Sequence, residues 1–274
     1  MKWASAPVPF RIPTTCGQQK SLPCLTQSKI ENPSSIFGVI ARMALEVFFF
    51  RSLFRNLKTQ MSGGRLVYGE AKWLWLAGLA FHWSFLIIFV RHFRFFMQDT
   101  PSFLKAIEGL DSFLQVGVPL LYMTNVVLLA SVTYLFLRRV FIPQVNYISL
   151  ASDYFPLFLI FGIASSGVLM RYFYKVDIVG MKELTMGLVS LTPVIPQGIG
   201  VIFYIHLFLV CILLAYFPLS KLMHIAGVFL SPTRNMVNNS RMVRHGNPWN
   251  YPVHVHTYEE YEDDFREKMK KAGI

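Results

Sequence analysis

WLWLAGLAFHWSFLIIFVRHFRFF (residues 73–96) and IGVIFYIHLFLVCILLAYFPLSKLMHIAG (residues 199–227) decide the fold. Each stretch is long and apolar enough to cross a bilayer, which takes about 20 apolar residues. Each also carries two histidines, His82 and His92 in the first, His206 and His224 in the second. An imidazole at that depth is costly and marks a functional site that needs a partner. Two such groups on each of two helices are what a protein needs to hold two haems between them.

Helical geometry tests the spacing. At about 1.5 Å per residue, His82 and His92 lie roughly 15 Å apart along a helix, and His206 and His224 roughly 27 Å. Eighteen residues make five full turns, so His206 and His224 share a face, whereas His92 sits about 80° around from His82. If the two helices are antiparallel, His82 pairs with His224 and His92 with His206, with metal centres on the order of 20 Å apart, one near each membrane face. Two neutral imidazoles on each iron leave no open position, a ligation suited to electron transfer rather than oxygen chemistry.

Composition agrees with a membrane protein. The chain is 54% hydrophobic with 25 phenylalanines among 274 residues, and its mean hydropathy is +0.44. The net charge of +11 is accounted for by the bilayer, and no nucleic-acid motif, phosphate loop or general-base constellation is present. Of the 26 lysines and arginines, only Arg91, Arg94, Lys105, Arg171, Lys175 and Lys182 fall in the alternate connections. The positive-inside rule therefore puts both termini in the cytoplasm, with four crossings between them.

The expected architecture is an all-α integral membrane protein, a four-helix transmembrane bundle with an N-terminal interfacial amphipathic helix and polar cytoplasmic termini. Residues 1–70 form a Pro-rich cytoplasmic segment and the interfacial helix (Ser34–Asn56), its arginines reaching the lipid phosphates. Residues 71–227 form the haem domain, with spans at about Ala71–Phe96, Phe113–Leu137 and Tyr154–Tyr172, and a last one ending near Gly227. Residues 228–274 form a cytoplasmic tail that ends in a short helix. Met61–Arg65 breaks the interfacial helix, Gln98–Ser112 is a polar loop, and Lys175–Gly198 is a longer connection. Trp73 and Trp75 form an interfacial belt.

Secondary sites are weaker. Arg91 and Arg94 flank His92 where haem propionates need cationic partners, and Arg138 and Arg139 stand at the inner end. Gly78, one turn before His82, and the small-residue run Gly162–Gly167 (GIASSG) allow close approach of a helix or a macrocycle. Cys16, Cys24 and Cys211 are too few and scattered for a disulfide framework or an iron–sulfur site, although Cys16 and Cys24 could share a metal. His245, His254 and His256 lie in a polar tail, where His254 and His256 share one face of an extended strand.

Several stretches resemble a known family. They are PVPFRIPTTCGQQKSLP (7–23), RMALEVFFFRSLFRN (42–56), KWLWLAGLAFHWSFLIIFVRHFRFF (72–96), DYFPLFLIFGIASSGVLMRYFYKVDI (153–178), FPLSKLMHIAGVFLSPTRN (217–235) and YEEYEDDFRE (258–267). With the histidine spacings, they resemble the cytochrome b (gamma) subunit of respiratory nitrate reductase. More closely they resemble the M subunit of the sulfite-reductase-associated DsrMKJOP membrane complex of sulfate-reducing prokaryotes. Members carry further membrane sequence ahead of the Pro-rich segment, so the chain reads as N-terminally truncated.

The resemblance implies a di-haem b, quinone-reactive subunit of an oxidoreductase in the inner (plasma) membrane, not catalytic alone. It would carry electrons between menaquinol and a cytoplasmic, heterodisulfide-reductase-like iron–sulfur subunit. A second membrane subunit, a periplasmic multihaem cytochrome c and an iron–sulfur protein would be its other partners. His92 and His206 would ligate the outer haem near the quinol site, whose mouth would hold Lys105 or Asp111, and His82 and His224 the inner one. The alternatives are the gamma subunit of a nitrate-reductase-type quinol oxidoreductase, or a haem-free membrane anchor.

Overall fold

Four helical segments among the described residues are long and apolar enough to cross a membrane: Lys72–Phe96, Met123–Phe141, Ala151–Tyr172 and Val201–Leu219. They come from a computed structural model that describes residues 19–21, 23–24, 26–112, 119–239, 241–243 and 254–273. The chain divides into two compact units, Ala44–Gly227 and the terminal segments Met1–Met43 with Val228–Ile274.

The chain order begins with α1 (Ile36–Phe49), a single turn α2 (Arg51–Phe54), strands β1 (Leu57–Ser62) and β2 (Arg65–Glu70), and α3 (Lys72–His92). A 3-10 turn, Phe93–Phe96, continues α3. Next come α4 (Ser102–Asp111), α5 (Met123–Phe141), α6 (Pro143–Ile148), α7 (Ala151–Tyr172), α8 (Ile178–Val189) and α9 (Val201–Tyr216). Two 3-10 turns, Phe217–Leu219 and Lys221–Met223, lead to α10 (His224–Gly227), α11 (Pro232–Asn235) and α12 (Tyr258–Ala272).

In the larger unit α3 packs on α5, α5 on α7 and α7 on α9. The two histidine-bearing ends of this series, α3 and α9, meet through side chains. His82 faces His224 and His92 faces His206, so α3 and α9 run antiparallel, as the cross-pairing requires.

Four local departures from the sequence expectation have physical causes. The Met61–Arg65 break is the turn of a β-hairpin. Gly63 and Gly64 supply φ of 57° and 75°, as a two-residue type I′ loop demands, and register runs from Leu57–Glu70 to Ser62–Arg65. The Gln98–Ser112 loop contains α4, whose Leu104 is fully buried. The Lys175–Gly198 connection contains α8, where the Asp177 carboxylate caps the first turn by accepting from Val179 N and Gly180 N at 3.0 and 3.2 Å. The last span is not one continuous helix to Gly227. Pro218 has no N–H and its ring crowds the carbonyl one turn back, so regular helix stops at Tyr216 and His224 sits on a separate short turn.

Span limits shift as well. The second span is helical from Met123 to Phe141, and 113–118 lie outside the described residues. The third begins at Ala151 because the Asp153 carboxylate accepts from Leu150 N at 3.0 Å.

The interfacial helix is shorter than expected and differently charged. Arg42 and Glu46 are buried rather than reaching outward, and Glu46 accepts from Ser52 N at 3.1 Å and Ser52 Oγ at 2.5 Å. Phe50, at φ 51°, turns the chain. The last carbonyls of α1 are satisfied by indoles: Trp75 Nε1 donates to Phe49 O at 2.7 Å and Trp83 Nε1 to Phe48 O at 3.0 Å. Trp75 therefore fastens α1 to α3, while Trp73 stays exposed, as an interfacial residue does.

In the terminal unit Asn238 N donates to Pro33 O at 2.8 Å, its Nδ2 to Glu31 O at 3.4 Å, and Arg241 N to Gln19 Oε1 at 3.4 Å. α12 is capped at both ends, by Thr257 with Glu260 and by Gly273 at φ 78°.

The α3–α5 junction is locked by a buried ion pair. Arg91 Nη1 donates to Asp111 Oδ2, while the same carboxylate accepts from Thr124 N at 2.8 Å and Thr124 Oγ1 at 2.6 Å. Asp111→Asn strands the Arg91 charge and is expected to lower stability by about 3 kcal/mol. Double replacement of the pair by Met and Leu should cost far less. Thermal unfolding of the detergent-solubilised protein decides this, and equal losses for both variants would refute the pairing argument.

Candidate functional site

The histidine positions follow from helix register and from the break at Pro218. His82 lies mid-way along α3 with His92 at its last position, and His206 lies in the second turn of α9. The break after Tyr216 turns His224 back toward His82.

Ring centres of His82 and His224 are 5.8 Å apart with the rings edge-on at 85°. Those of His92 and His206 are 6.3 Å apart and nearly parallel at 16°. Two imidazoles that share one metal at about 2.0–2.1 Å per bond have ring centres roughly 6 Å apart, since each nitrogen sits about 1.1 Å from its ring centre. Both pairs fit.

Hydrogen bonding prepares the rings for the same task. His82 Nδ1 meets Gly78 O at 2.7 Å, His92 Nδ1 meets Ile88 O at 2.7 Å and His224 Nδ1 meets Lys221 O at 2.9 Å. A carbonyl only accepts, so Nδ1 carries the proton and Nε2 keeps its lone pair for a metal.

His206 is anchored differently, by Ser166 Oγ of α7 at 2.9 Å. That hydroxyl lies 2.8 Å from Gly162 O and 3.0 Å from Ile163 O. Its own proton goes to one of these carbonyls, so its oxygen is free to accept from His206 Nδ1. In the neutral form of each of the four imidazoles the proton thus sits on Nδ1 and Nε2 is the donor atom, the form that haem iron takes. His82, His92 and His224 are exposed on the bundle and His206 is half-buried. Lipid cannot satisfy a bare imidazole nitrogen, so the donor chemistry fits a haem held between α3 and the α9–α10 segment.

The surroundings of the two pairs differ. His82 is flanked edge-on by Phe50 at 4.9 Å and Phe81 at 5.0 Å. His224 depends on the Lys221–Asp153 ion pair at 2.7 Å, which ties its turn to the start of α7. The His92 end is built up by α8, whose Thr185 Oγ1 donates to Phe95 O at 2.6 Å and whose Lys182 Nζ donates to Gln98 O at 2.5 Å. Leu184, Ile199 and Phe203 form the apolar core there.

Other expected site residues are placed as follows. Arg91 departs from a propionate-facing role. It is buried against Asp111 and Thr124, and its guanidinium lies 3.5 Å from the centre of the Tyr122 ring. Arg171 covers the same ring at 4.0 Å. Arg94 pairs with Glu108 at 2.8 Å and remains partly exposed. Arg138 and Arg139 end α5, and Arg139 donates to Ser149 Oγ at 3.0 Å. Gly78 makes room for Leu53, whose Cδ2 would lie 3.3 Å from an added Cβ, rather than for a macrocycle. In GIASSG, a Cβ on Gly167 would sit 3.5 Å from His206 Cε1 and one on Gly162 3.5 Å from Leu209 Cδ1, so the run serves α7–α9 packing around His206.

Asp111, expected at a quinol mouth, is consumed by its ion pair, and Lys105 is exposed on α4. An apolar cleft of about 500 Å³ lies instead between the ends of α7 and α9, lined by Leu169, Lys175, Val176, Gly198, Ile202 and Ile205. Cys24 and Cys211 are free thiols among the described residues; Cys16 and His245 lie outside them. Ser166 and the Lys221–Asp153 pair carry no sequence signal beyond their residue types and become visible only when α7 meets α9.

Helical membrane proteins with histidines paired between helices are the class that this fold and site define. Residues 34–245 match the nitrate reductase gamma subunit family, and the chain belongs to that family. It is 43% identical over 256 residues to the Hdr-like menaquinol oxidoreductase cytochrome b-like subunit of Archaeoglobus fulgidus, covering 91% of this chain and 76% of that protein. The protein of the same name from Archaeoglobus profundus is 43% identical over 255 residues, covering 90% and 75%.

Two substitutions separate the pairs. If each pair holds a haem, Asp153→Asn, which removes the Lys221 partner of the His224 turn, should reduce only one b-type signal. Ser166→Ala removes the Nδ1 acceptor of His206 and should shift the midpoint potential of the other. Redox titration of the visible spectrum reads both, and a single centre responding to both changes would contradict the assignment.

Proposed function

We propose that this chain is a membrane di-haem b subunit that transfers electrons between menaquinol and an iron–sulfur subunit. The observation that carries the reading is the facing of two imidazole pairs across α3 and the α9–α10 segment, every ring with Nδ1 hydrogen-bonded. His82 and His224 would hold one haem, His92 and His206 the other. Haem held there would supply a one-electron iron redox centre.

The residues of the chain do the rest. The Nδ1 acceptors fix each ring's tautomer and orientation, and α5 and α7 hold the two ligand-bearing segments apart at the separation two imidazoles need. Arg94, partly exposed beyond its Glu108 pair, is the arginine we place near the propionates; Arg91 supports it from the buried ion pair.

The cleft beside Ile205, next to His206, has the volume and apolar lining of a small-molecule site. We assign it to the quinol ring, with Lys175 as its polar group. Oxidised there, menaquinol releases two electrons and two protons. With both termini in the cytoplasm by the positive-inside rule, this end faces outward and the His82–His224 end faces the cytoplasmic iron–sulfur subunit. The names of the two archaeal relatives support menaquinol and a heterodisulfide-reductase-like complex over a nitrate-reductase-type enzyme. A second membrane subunit, a periplasmic multihaem cytochrome c and a role in dissimilatory sulfur metabolism complete the proposal.

Purified protein should yield two b-type haems per chain by pyridine haemochromogen assay. His206→Ala should retain about half of that haem and lose menaquinol-driven reduction of the rest. A protein that assembles without haem would leave only the membrane-anchor reading, and full occupancy in His206→Ala would overturn the pairing.

A further inference from the structure

We propose that His254, His256 and Glu260 form a second metal site, one that binds a single divalent transition-metal ion in the C-terminal segment. The three side chains are brought together by local structure. His254 and His256 lie on an extended stretch, where alternate residues share a side, and their ring centres are 4.9 Å apart. The stretch is folded onto the first turn of α12 by a capping box: Glu260 N donates to Thr257 Oγ1 at 3.3 Å and Thr257 N donates to Glu260 Oε2 at 2.8 Å. One ligand atom from each of the three residues then lies within 4.8 Å of the others, close enough for small side-chain rotations to bring all three onto a shared ion at about 2.0–2.2 Å. The cap uses one Glu260 oxygen and leaves the second for a metal.

Charge favours a cation here despite the helix N-terminus. The macrodipole places about half a positive charge at that end, but Glu259, Glu260, Glu262, Asp263 and Asp264 surround it. Arg266 offsets part of this charge, but neither it nor Lys270 pairs with Glu260 or Asp264. Arg266 pairs with Asp263 at 2.6 Å and Glu262 at 3.8 Å, and Lys270 pairs with Glu267 at 3.2 Å. Asp264, one turn beyond Glu260, lies 3.5 Å from His256 Nδ1 and brings a second carboxylate within reach.

Exposed carboxylates alone need no metal. Two imidazoles converging on one of them are a different matter, because nitrogen donors select transition metals over calcium or magnesium. Three protein ligands with a fourth position for water or Asp264 match the donor set of open zinc sites. All three ligands are exposed, so the ion exchanges with solvent rather than holding up the fold.

Zinc retention by the haem-loaded full chain tests this, using a purification tag free of histidine. After equilibration with zinc chloride and desalting, wild type should hold one zinc per chain by elemental analysis. His254→Ala/His256→Ala should hold at least about tenfold less. Glu260→Gln, which preserves the capping box, should also lose most of it. No zinc on wild type above the double variant overturns the site, and so does full retention by Glu260→Gln. Neither result bears on the haem histidines, which all three proteins share.

Discussion

An imidazole on a membrane-embedded helix has two nitrogens to satisfy and no water to do it. That requirement organises the larger unit. Each of the four rings spends Nδ1 on a protein oxygen and has an opposing ring centre 5.8 or 6.3 Å away. For His82 and His92 the acceptor is the carbonyl four residues back, which already takes a backbone hydrogen bond and uses its second lone pair for the ring. The helix therefore sets the ring's tautomer, and only the distance to the opposing segment is left to tertiary structure. α5 and α7 supply that distance by packing between the two ligand-bearing ends.

The two pairs meet this requirement by different means. The His92–His206 end is scaffolded by α4, α8 and a buried polar cluster, and His206 is anchored from a neighbouring helix. The His82–His224 end rests on a single short turn after a helix break, held by one exposed lysine and one carboxylate. Near-parallel rings at one end and edge-on rings at the other follow from that contrast. A ring set on a continuous helix is fixed by its register, whereas one on an isolated turn takes its orientation from whatever holds the turn.

The sequence made the spans and both histidine pairings legible because each rests on a local property: hydropathy over about 20 residues, and the positions of rare polar groups within it. The continuous five-turn face from His206 to His224 was not real, although Pro218 stood in plain view between them. Strands β1 and β2 were also within reach, since Gly63-Gly64 flanked by alternating residues is a hairpin signal. The role of Arg91 was not legible. Its partners Asp111 and Thr124 lie 20 and 33 residues away, and no local pattern distinguishes an arginine that meets a propionate from one that meets a carboxylate. Ser166 is the same case, since its partner is His206, 40 residues on.

A buried ion pair is a weak source of stability, because removing two charges from water costs about as much as their attraction returns. The Arg91–Asp111 pair therefore asks for another explanation, and its neighbours give one. Asp111 ends α4 and also receives both the backbone and side-chain donors of Thr124 at the start of α5, while Arg91 is the residue before His92. Arg171 of α7, which lies against the same Tyr122 ring as Arg91, extends the lock to α7. Apolar contacts between lipid-facing helices slide easily, since lipid tails are as apolar as leucine. A charge network that is satisfied in one register alone removes that freedom. It sits one residue from the ligand whose position along α3 must match that of His206 on α9. The pair's contribution is thus to the registry of the site more than to the strength of the fold.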